Sequence, residues 1–265
     1  MKTVDIGQNQ VQKDDIRPKS LELFECLRPR GSSASVASVL SHHEAKPTPH
    51  RRVIIYDEDP QVVQRLLSAE TGIPASALRV GDIRPDQLEL VTRAIGKLDS
   101  APLYVDDTPG ITPLEVRAKV RRLDADHGVD LVMIDYLQLM DGGRRTENRV
   151  QEISYISRAL KGLAREVNVP VIAASQLSRA VEQRGGSRRP MLADLRDSGS
   201  IEQDADMVVF LYRDVMYDAN TPRPNIAEAI VAKNRHGPTQ MVELHFVPHE
   251  MKFSDPTTWD GEPPV

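Results

Sequence analysis

The chain is poor in the features that would place it outside the ordinary globular class. Cys26 is its only cysteine in 265 residues. A lone thiol excludes an internal disulfide and a cysteine-cluster zinc site, and it fits a reducing, cytoplasmic setting. No apolar stretch approaches the length of a membrane span, so no membrane partner is expected. The opening MKTVDIGQNQVQKDD has no apolar core and does not read as a secretory signal. No repeat of solenoid period is present. Positive charge is not in excess either: the net charge is −5. Any contact with nucleic acid must therefore come from local basic loops rather than from a global field.

What is present suits one α/β domain with a substantial core: 40% hydrophobic and 28% charged residues. Residues 1–20 are polar and read as a flexible segment, residues 21–255 as one domain, and the Pro-rich 256–265 as a flexible tail. Strands are expected at Leu21–Leu27, Arg51–Tyr56, Ala101–Val105, Val169–Ala174, Met207–Tyr212, Ile226–Ala232 and Met241–Val247. Between them lie helical patterns. Asp59-Pro60 opens one, with Val63, Leu66 and Leu67 as its buried face and Gly72 as its stop. Leu88, Val91, Ile95 and Leu98 mark a second. Thr112-Pro113-Leu114-Glu115 is a capping box that opens a third, burying Val116, Val120 and Leu123. A fourth, longer helix carries Val150, Ile153, Ile156, Leu160, Leu163 and Val167 on one face. Strands alternating with helices predict one mostly parallel sheet covered on both faces, ending in a C-terminal hairpin turned at His236-Gly237-Pro238-Thr239. His42, His43 and His50 sit in a Pro-rich stretch without supporting carboxylates, and a solvated loop is the simpler reading.

The centre of the chain is Val129–Met140, VDLVMIDYLQLM. Leu131–Ile134 is an unbroken apolar run, as in a strand buried on both faces, and it stops at Asp135. An acid at the carboxyl end of such a strand stands where open α/β sheets bind ligands, and P-loop ATPases hold nucleotide-bound magnesium with such an Asp. An Asp that merely starts a turn is the bland alternative. Downstream lie two basic loops, DGGRRTENR at 141–149 and RAVEQRGGSRRP at 179–190.

The segment IDYLQLM closely resembles the Walker B segment of the replicative hexameric DNA helicases, the DnaB family. The resemblance extends over roughly Arg51 to Asp255, through QRLLSAETGIP, APLYVDDTPGITPLEVRAKVRRL, ISRALKGLAREVNVPVIAASQLSRAVEQR, RRPMLADLRDSGSIEQDADMVVFLYRD and AKNRHGPT. It implies a RecA-like motor domain, ATP and Mg2+ as cofactors, and single-stranded DNA as the track. It also implies a homo-oligomer, a hexameric ring, or assembly with intact helicase subunits; primase and a helicase loader are the further partners it suggests. The family's N-terminal, primase-contacting domain has no counterpart here, so the chain resembles a motor domain alone. By the same resemblance Asp135 would serve the magnesium and Gln176 would sense the γ-phosphate. Lys233 and Arg235, in KNR, would reach the nucleotide of a neighbouring subunit, Arg235 as an arginine finger. A planar guanidinium suits the charge spread over phosphoryl oxygens. Arg196, Asp197 and Gly199, in LRDSGS, match the loop that grips the strand backbone, with Asp where the family usually has Glu. A surface ion pair of Arg196 with Asp194 or Asp197 is the alternative.

The match fails at the phosphate cradle. No G-x-x-x-x-G-K-[ST] string occurs. Where the family reads approximately RPGMGKTS, Arg28–Ser35 gives RPRGSSAS. The nucleotide-binding positions would then be Arg30, Gly31, Ser32, Ser33, Ala34 and Ser35, with Ser33 in place of the lysine and Ala34 in place of the magnesium-binding hydroxyl. Arg30 is a candidate substitute cation. Glu58 is the best candidate for the family's water-activating glutamate and Asp57 the second, although the strand is a few residues shorter than the family's. A solvent-facing acidic turn is equally open. The expectation is weak ATP binding and slow hydrolysis by the chain alone, either as a helicase motor or as an impaired ring subunit that serves an intact neighbour.

Overall fold

The computed structural model describes residues 3–4, 34–39, 52–57, 62–143, 148–178, 181, 184 and 187–256, with the backbone alone at 3–4, 34–39, 57 and 196–199. The chain builds one ten-stranded sheet. Its strands are β1 (Thr3–Val4), β2 (Ala34–Val39), β3 (Val53–Asp57), β4 (Leu103–Asp106), β5 (Leu131–Asp135), β6 (Val171–Gln176), β7 (Met207–Tyr212), β8 (Ile226–Asn234), β9 (Gln240–Val247) and β10 (Lys252–Ser254). The spatial order is β1-β4-β3-β5-β6-β2-β7-β8-β9-β10. Pairing is parallel through β4, β3, β5 and β6. On both sides of that block it is antiparallel. The parallel part is thus one four-stranded block, and β8–β9 is the expected hairpin.

The helices are α1 (Val62–Thr71), α2 (Ala75–Val80), α3 (Pro85–Asp99), α4 (Pro113–His127), α5 (Arg149–Val167) and α6 (Gly199–Asp204). The capping box forms as read: Thr112 Oγ1 accepts from the Glu115 backbone N–H, and Glu115 Oε2 accepts from the Thr112 N–H at 2.8 Å. Strand alternation divides the core. Ile54, Val132, Ile134, Val171 and Ala173 face α4 and α5, meeting Val116, Val120, Ile156 and Leu160. Val53, Ile55, Met133, Ile172 and Ala174 face the opposite side, where Leu66 of α1 packs on them. Each fully buried aliphatic side chain contributes about 1.5–3 kcal/mol relative to exposure.

Two helix faces differ from the expectation. On α3 the inward residues are Val91, Ala94 and Leu98, while Leu88 and Ile95 are 58% and 51% exposed. At 100° per residue these two fall on a neighbouring stripe that no described element covers. On α1, Val62, Arg65 and Ser68 turn inward and Val63 is exposed. Near the N-terminus, Thr3–Val4 pairs with β4 as an edge strand. Leu21–Leu27, Asp59-Pro60, the three histidines at 42, 43 and 50, and the 257–265 part of the tail lie outside the described residues.

Candidate nucleotide and subunit-contact sites

The strand order places β3→β4 on one side of β3 and β4→β5 on the other, so the chain reverses direction across the sheet between β3 and β5. A crevice outside the carboxyl ends of the strands is expected at that reversal. Asp57 and Asp135 are register partners there. Tyr56 pairs with Asp106 on the outer side. Asp135 is buried, at 6% exposure, and the peptide that follows it is cis. It shares strand parity with Met133 and therefore lies on the α1 side of the sheet; Gln176, two residues beyond Ala174, has the same parity.

Gln138 joins the two strand ends. The apolar run releases the chain into a 3-10 turn at Leu137–Leu139, pinned by the buried Leu137. From that turn the Gln138 amide donates to Ser175 Oγ at 2.9 Å and to the Gln176 carbonyl at 3.4 Å. Its Oε1 accepts from the Gln176 N–H at 3.2 Å. The turn is held from behind: Arg149 donates to the Gln138 carbonyl and pairs with Glu152. Glu152 also accepts from the Gly142 N–H at 2.9 Å. That backbone bond holds the Glu152 carboxyl below the ordinary carboxylate range against burial, with Arg149 assisting. The sequence motif contains Gln138 but assigns it no task; only the folded path shows it as the clamp.

Asp106 is a second strand-end acid that the strand-plus-Asp pattern could have flagged. Its Oδ2 accepts from Lys119 Nζ at 2.6 Å and its Oδ1 from Thr108 Oγ1 at 2.6 Å. Burial pushes this carboxyl up, but Lys119 and Thr108 together outweigh burial and hold it below the ordinary range. Burial, with Asp106 adding to it, pushes the Tyr56 hydroxyl up, so it stays neutral.

Of the cradle positions, Ala34 and Ser35 alone are among the described residues. Ala34 and Ser35 are the first residues of β2, which runs antiparallel between β6 and β7. Ser35 is the register partner of Gln176, and Ala34 of Tyr212. At Ser35 the chain therefore stands at the same edge of the sheet as Gln176. It continues as a strand, however, and offers at 34–39 no helix N-terminus for phosphate. Arg30, Gly31, Ser32, Ser33 and Glu58 lie outside the described residues. Asp135 fits a magnesium held chiefly by water and phosphate. Ala34 supplies no hydroxyl and does not fit as a ligand. Among the described residues no group of three or more His, Cys, Asp and Glu side chains is placed to hold a metal by itself.

Lys233 and Arg235 stand at the other edge. Because β2 is antiparallel to both β6 and β7, those two run parallel, and Tyr212 marks the Gln176 edge. Lys233 pairs with Val208 and Asn234 with Met207, at the amino end of β7. The length of β7, six residues, separates the two edges, roughly 17 Å at strand rise. Lys233 Nζ donates to the carbonyls of Glu202 and Ala205 at 2.6 and 2.7 Å, at the C-terminal end of α6. Burial, with Arg235 adding repulsion, lowers the Lys233 ammonium below its ordinary value. Arg235 pairs with Asp206 at 2.9 Å.

Arg196 and Asp197 lie in the 3-10 turn Leu192–Ser198, and Gly199 begins α6. Asp194 accepts from Arg184 and from the Met191 N–H. Arg189 makes a two-pronged bond to the buried Glu228 at 2.7 and 2.7 Å and lies 5.3 Å from the Tyr212 ring centre.

Comparison with known proteins agrees with this layout. The family described as the DnaB-like helicase C terminal domain matches residues 31–255. "Replicative DNA helicase DnaC" of Bacillus subtilis (strain 168) is 54% identical over 194 residues, 73% of this chain and 42% of that protein. "Replicative DNA helicase DnaB" of Geobacillus stearothermophilus is 53% identical with the same coverage. The chain thus spans 42% of the length of these relatives. Among solved structures, one described as an ATPase domain superposes with a TM-score of 0.74 at 38% identity, covering 77% of this chain and 74% of that one. "The Structure Of A DnaB-Like Replicative Helicase And Its Interactions With Primase" matches with the same score and identity, covering 77% of this chain and 50% of that one.

Proposed function

The chain belongs to the DnaB-like helicase C-terminal domain family, and from that premise we propose that it is the ATP-dependent motor of a replicative DNA helicase, drawing single-stranded DNA through a ring of like subunits. One observation carries this reading: the candidate nucleotide edge, with Asp135 and Gln176, lies across the sheet from Lys233 and Arg235. A subunit so built cannot bring its own arginine to its own nucleotide. Head-to-tail packing around a ring brings the arginine edge of one subunit to the nucleotide edge of the next. ATP with Mg2+ would supply the free energy of phosphoanhydride hydrolysis. Asp135 would hold the metal's water or phosphate shell, and Gln176, kept in place by Gln138, would meet the γ-phosphate. Arg196 and the backbone about Gly199 would hold the phosphates of the strand without reading its bases. Glu58, or Asp57 beside Asp135, would orient the attacking water. Primase and a helicase loader are the protein partners proposed, and a reducing cytoplasm suits Cys26. No helix among the described residues is long and apolar enough to cross a membrane.

A second reading is favoured by one feature: Ala34 and Ser35 open a strand where the phosphate cradle is expected. The chain would then act chiefly by presenting Lys233 and Arg235 to an intact subunit. Phosphate release measured with single-stranded DNA separates the two. Hydrolysis by the chain alone, abolished by Asp135→Asn, is expected of the motor. Hydrolysis raised only on mixing with an intact relative is expected of the donor. No DNA-dependent hydrolysis in either arrangement would refute both.

A further inference from the structure

Asp206 lies immediately after α6, at the entry to β7, and is 4% exposed. Its carboxylate is shared between two cations. Lys161, from the middle of α5 and likewise buried, binds Oδ2. The Arg235 side chain approaches Oδ1 to 2.9 Å as an ion pair, outside hydrogen-bond geometry, and remains 45% exposed. The Arg235 N–H also donates to the Asp206 carbonyl at 2.8 Å. That backbone bond already fixes the chain at position 235, so the side-chain pair is not needed to hold the turn. Nor is a half-exposed arginine a strong source of stability, since water screens the pair and ordering the long side chain costs entropy. What the pair does determine is direction. Asp206 meets the guanidinium at one nitrogen, Nη1, and nearly half of the side chain's surface stays exposed.

The charge balance points the same way. Lys161 and Arg235 converge on the Asp206 carboxylate, two cations against one, while Lys233 donates to the carbonyls of Glu202 and Ala205 beside it. The surplus positive charge stands at the surface, where an anion brought by another molecule would balance it. Lys161 matters because it keeps Asp206 compensated within the core whether or not Arg235 is engaged elsewhere.

We propose that Asp206, neutralised from behind by Lys161, is a positioning residue that aims the Arg235 guanidinium at the phosphates bound by the adjoining subunit. The proposal rests on the reading of Arg235 as a finger acting between subunits. The test mixes the full chain with Bacillus subtilis DnaC whose own arginine matching Arg235 has been changed to alanine, and follows DNA-dependent ATP hydrolysis. The unaltered chain should restore turnover, and Arg235→Ala should not. Asp206→Asn should lower kcat on the order of tenfold to a hundredfold, as a displaced group does, with KM for ATP changed by no more than about twofold. A kcat for Asp206→Asn within about twofold of the unaltered chain overturns the assignment of Asp206 while leaving the finger intact. Failure of the unaltered chain to restore turnover, or restoration by Arg235→Ala, overturns the finger itself and the proposal with it. Should Asp206→Asn unfold, by circular dichroism, the pair Lys161→Met with Asp206→Leu replaces the buried ions by apolar groups of similar volume. That double variant must show the same loss of kcat.

Discussion

Replacing Gln138 with leucine tests the clamp between the strand ends with little change in volume. The amide makes three contacts, at 2.9, 3.4 and 3.2 Å, to Ser175 and to both backbone groups of Gln176. Leucine makes none. Ser175 is fully buried, so its hydroxyl loses its donor where water cannot replace it. One buried polar group left without its partner costs about 1–3 kcal/mol. The 3.4 Å contact is long and adds little. The expected destabilisation is therefore about 2 kcal/mol, or about 4–8 °C in Tm for a domain of this size. Urea titration followed by circular dichroism reads the change in midpoint. Adding Ser175→Ala removes the stranded hydroxyl, so the double variant should regain about 1 kcal/mol over Gln138→Leu alone. A Gln138→Leu midpoint equivalent to less than about 0.5 kcal/mol, with no coupling to Ser175→Ala, would refute the clamp.

Two further outcomes follow from charged groups at the sheet ends. The Asp106 carboxyl is held below its ordinary value of 3.8 by Lys119 and Thr108 acting against burial. A depressed folded-state value stabilises the protein above pH 3.8 and loses that contribution as pH falls through the folded value. Lys119→Met should therefore weaken the protein at neutral pH and flatten its loss of stability in acid, as read by Tm against pH; an unchanged acid limb would refute this. Arg189→Met leaves the buried Glu228 with Arg223 at 3.7 Å as its remaining ion-pair partner, and should cost about 2–4 kcal/mol in urea titration. Arg189→Lys keeps the charge but loses the fork, and should fall between the two. Equal midpoints for all three proteins would show that the fork contributes nothing.

Local pattern was sufficient for most elements. Met207–Tyr212 forms the strand its unbroken apolar run predicts, and the capping box at Thr112 opens α4 where the motif places it. That Asp135 and Gln176 end buried strands was legible because an apolar run closed by a polar residue is a short-range signal; the roles proposed for them, and for Lys233 and Arg235, come from the family resemblance. Leu88 and Ile95 were misplaced for the complementary reason. Periodicity identifies an apolar stripe, but which part of it finds a partner depends on neighbouring helices distant in sequence. Asp206, inside QDADMVVF, looks like any acid before a strand, and Gln138 like any polar residue in a motif.

The family, the alternation of strands and helices, and the absence of a G-x-x-x-x-G-K-[ST] string were determined by residue identity alone, since each is a property of adjacent positions. Tertiary structure alone decided that β2 enters antiparallel beside Gln176, that Lys161 and Arg235 share one carboxylate, and that Lys233 and Arg235 lie across the sheet from Gln176. Those facts depend on which strands pair and in which direction. Pairing direction is governed by contacts between residues far apart along the chain, which no local pattern encodes.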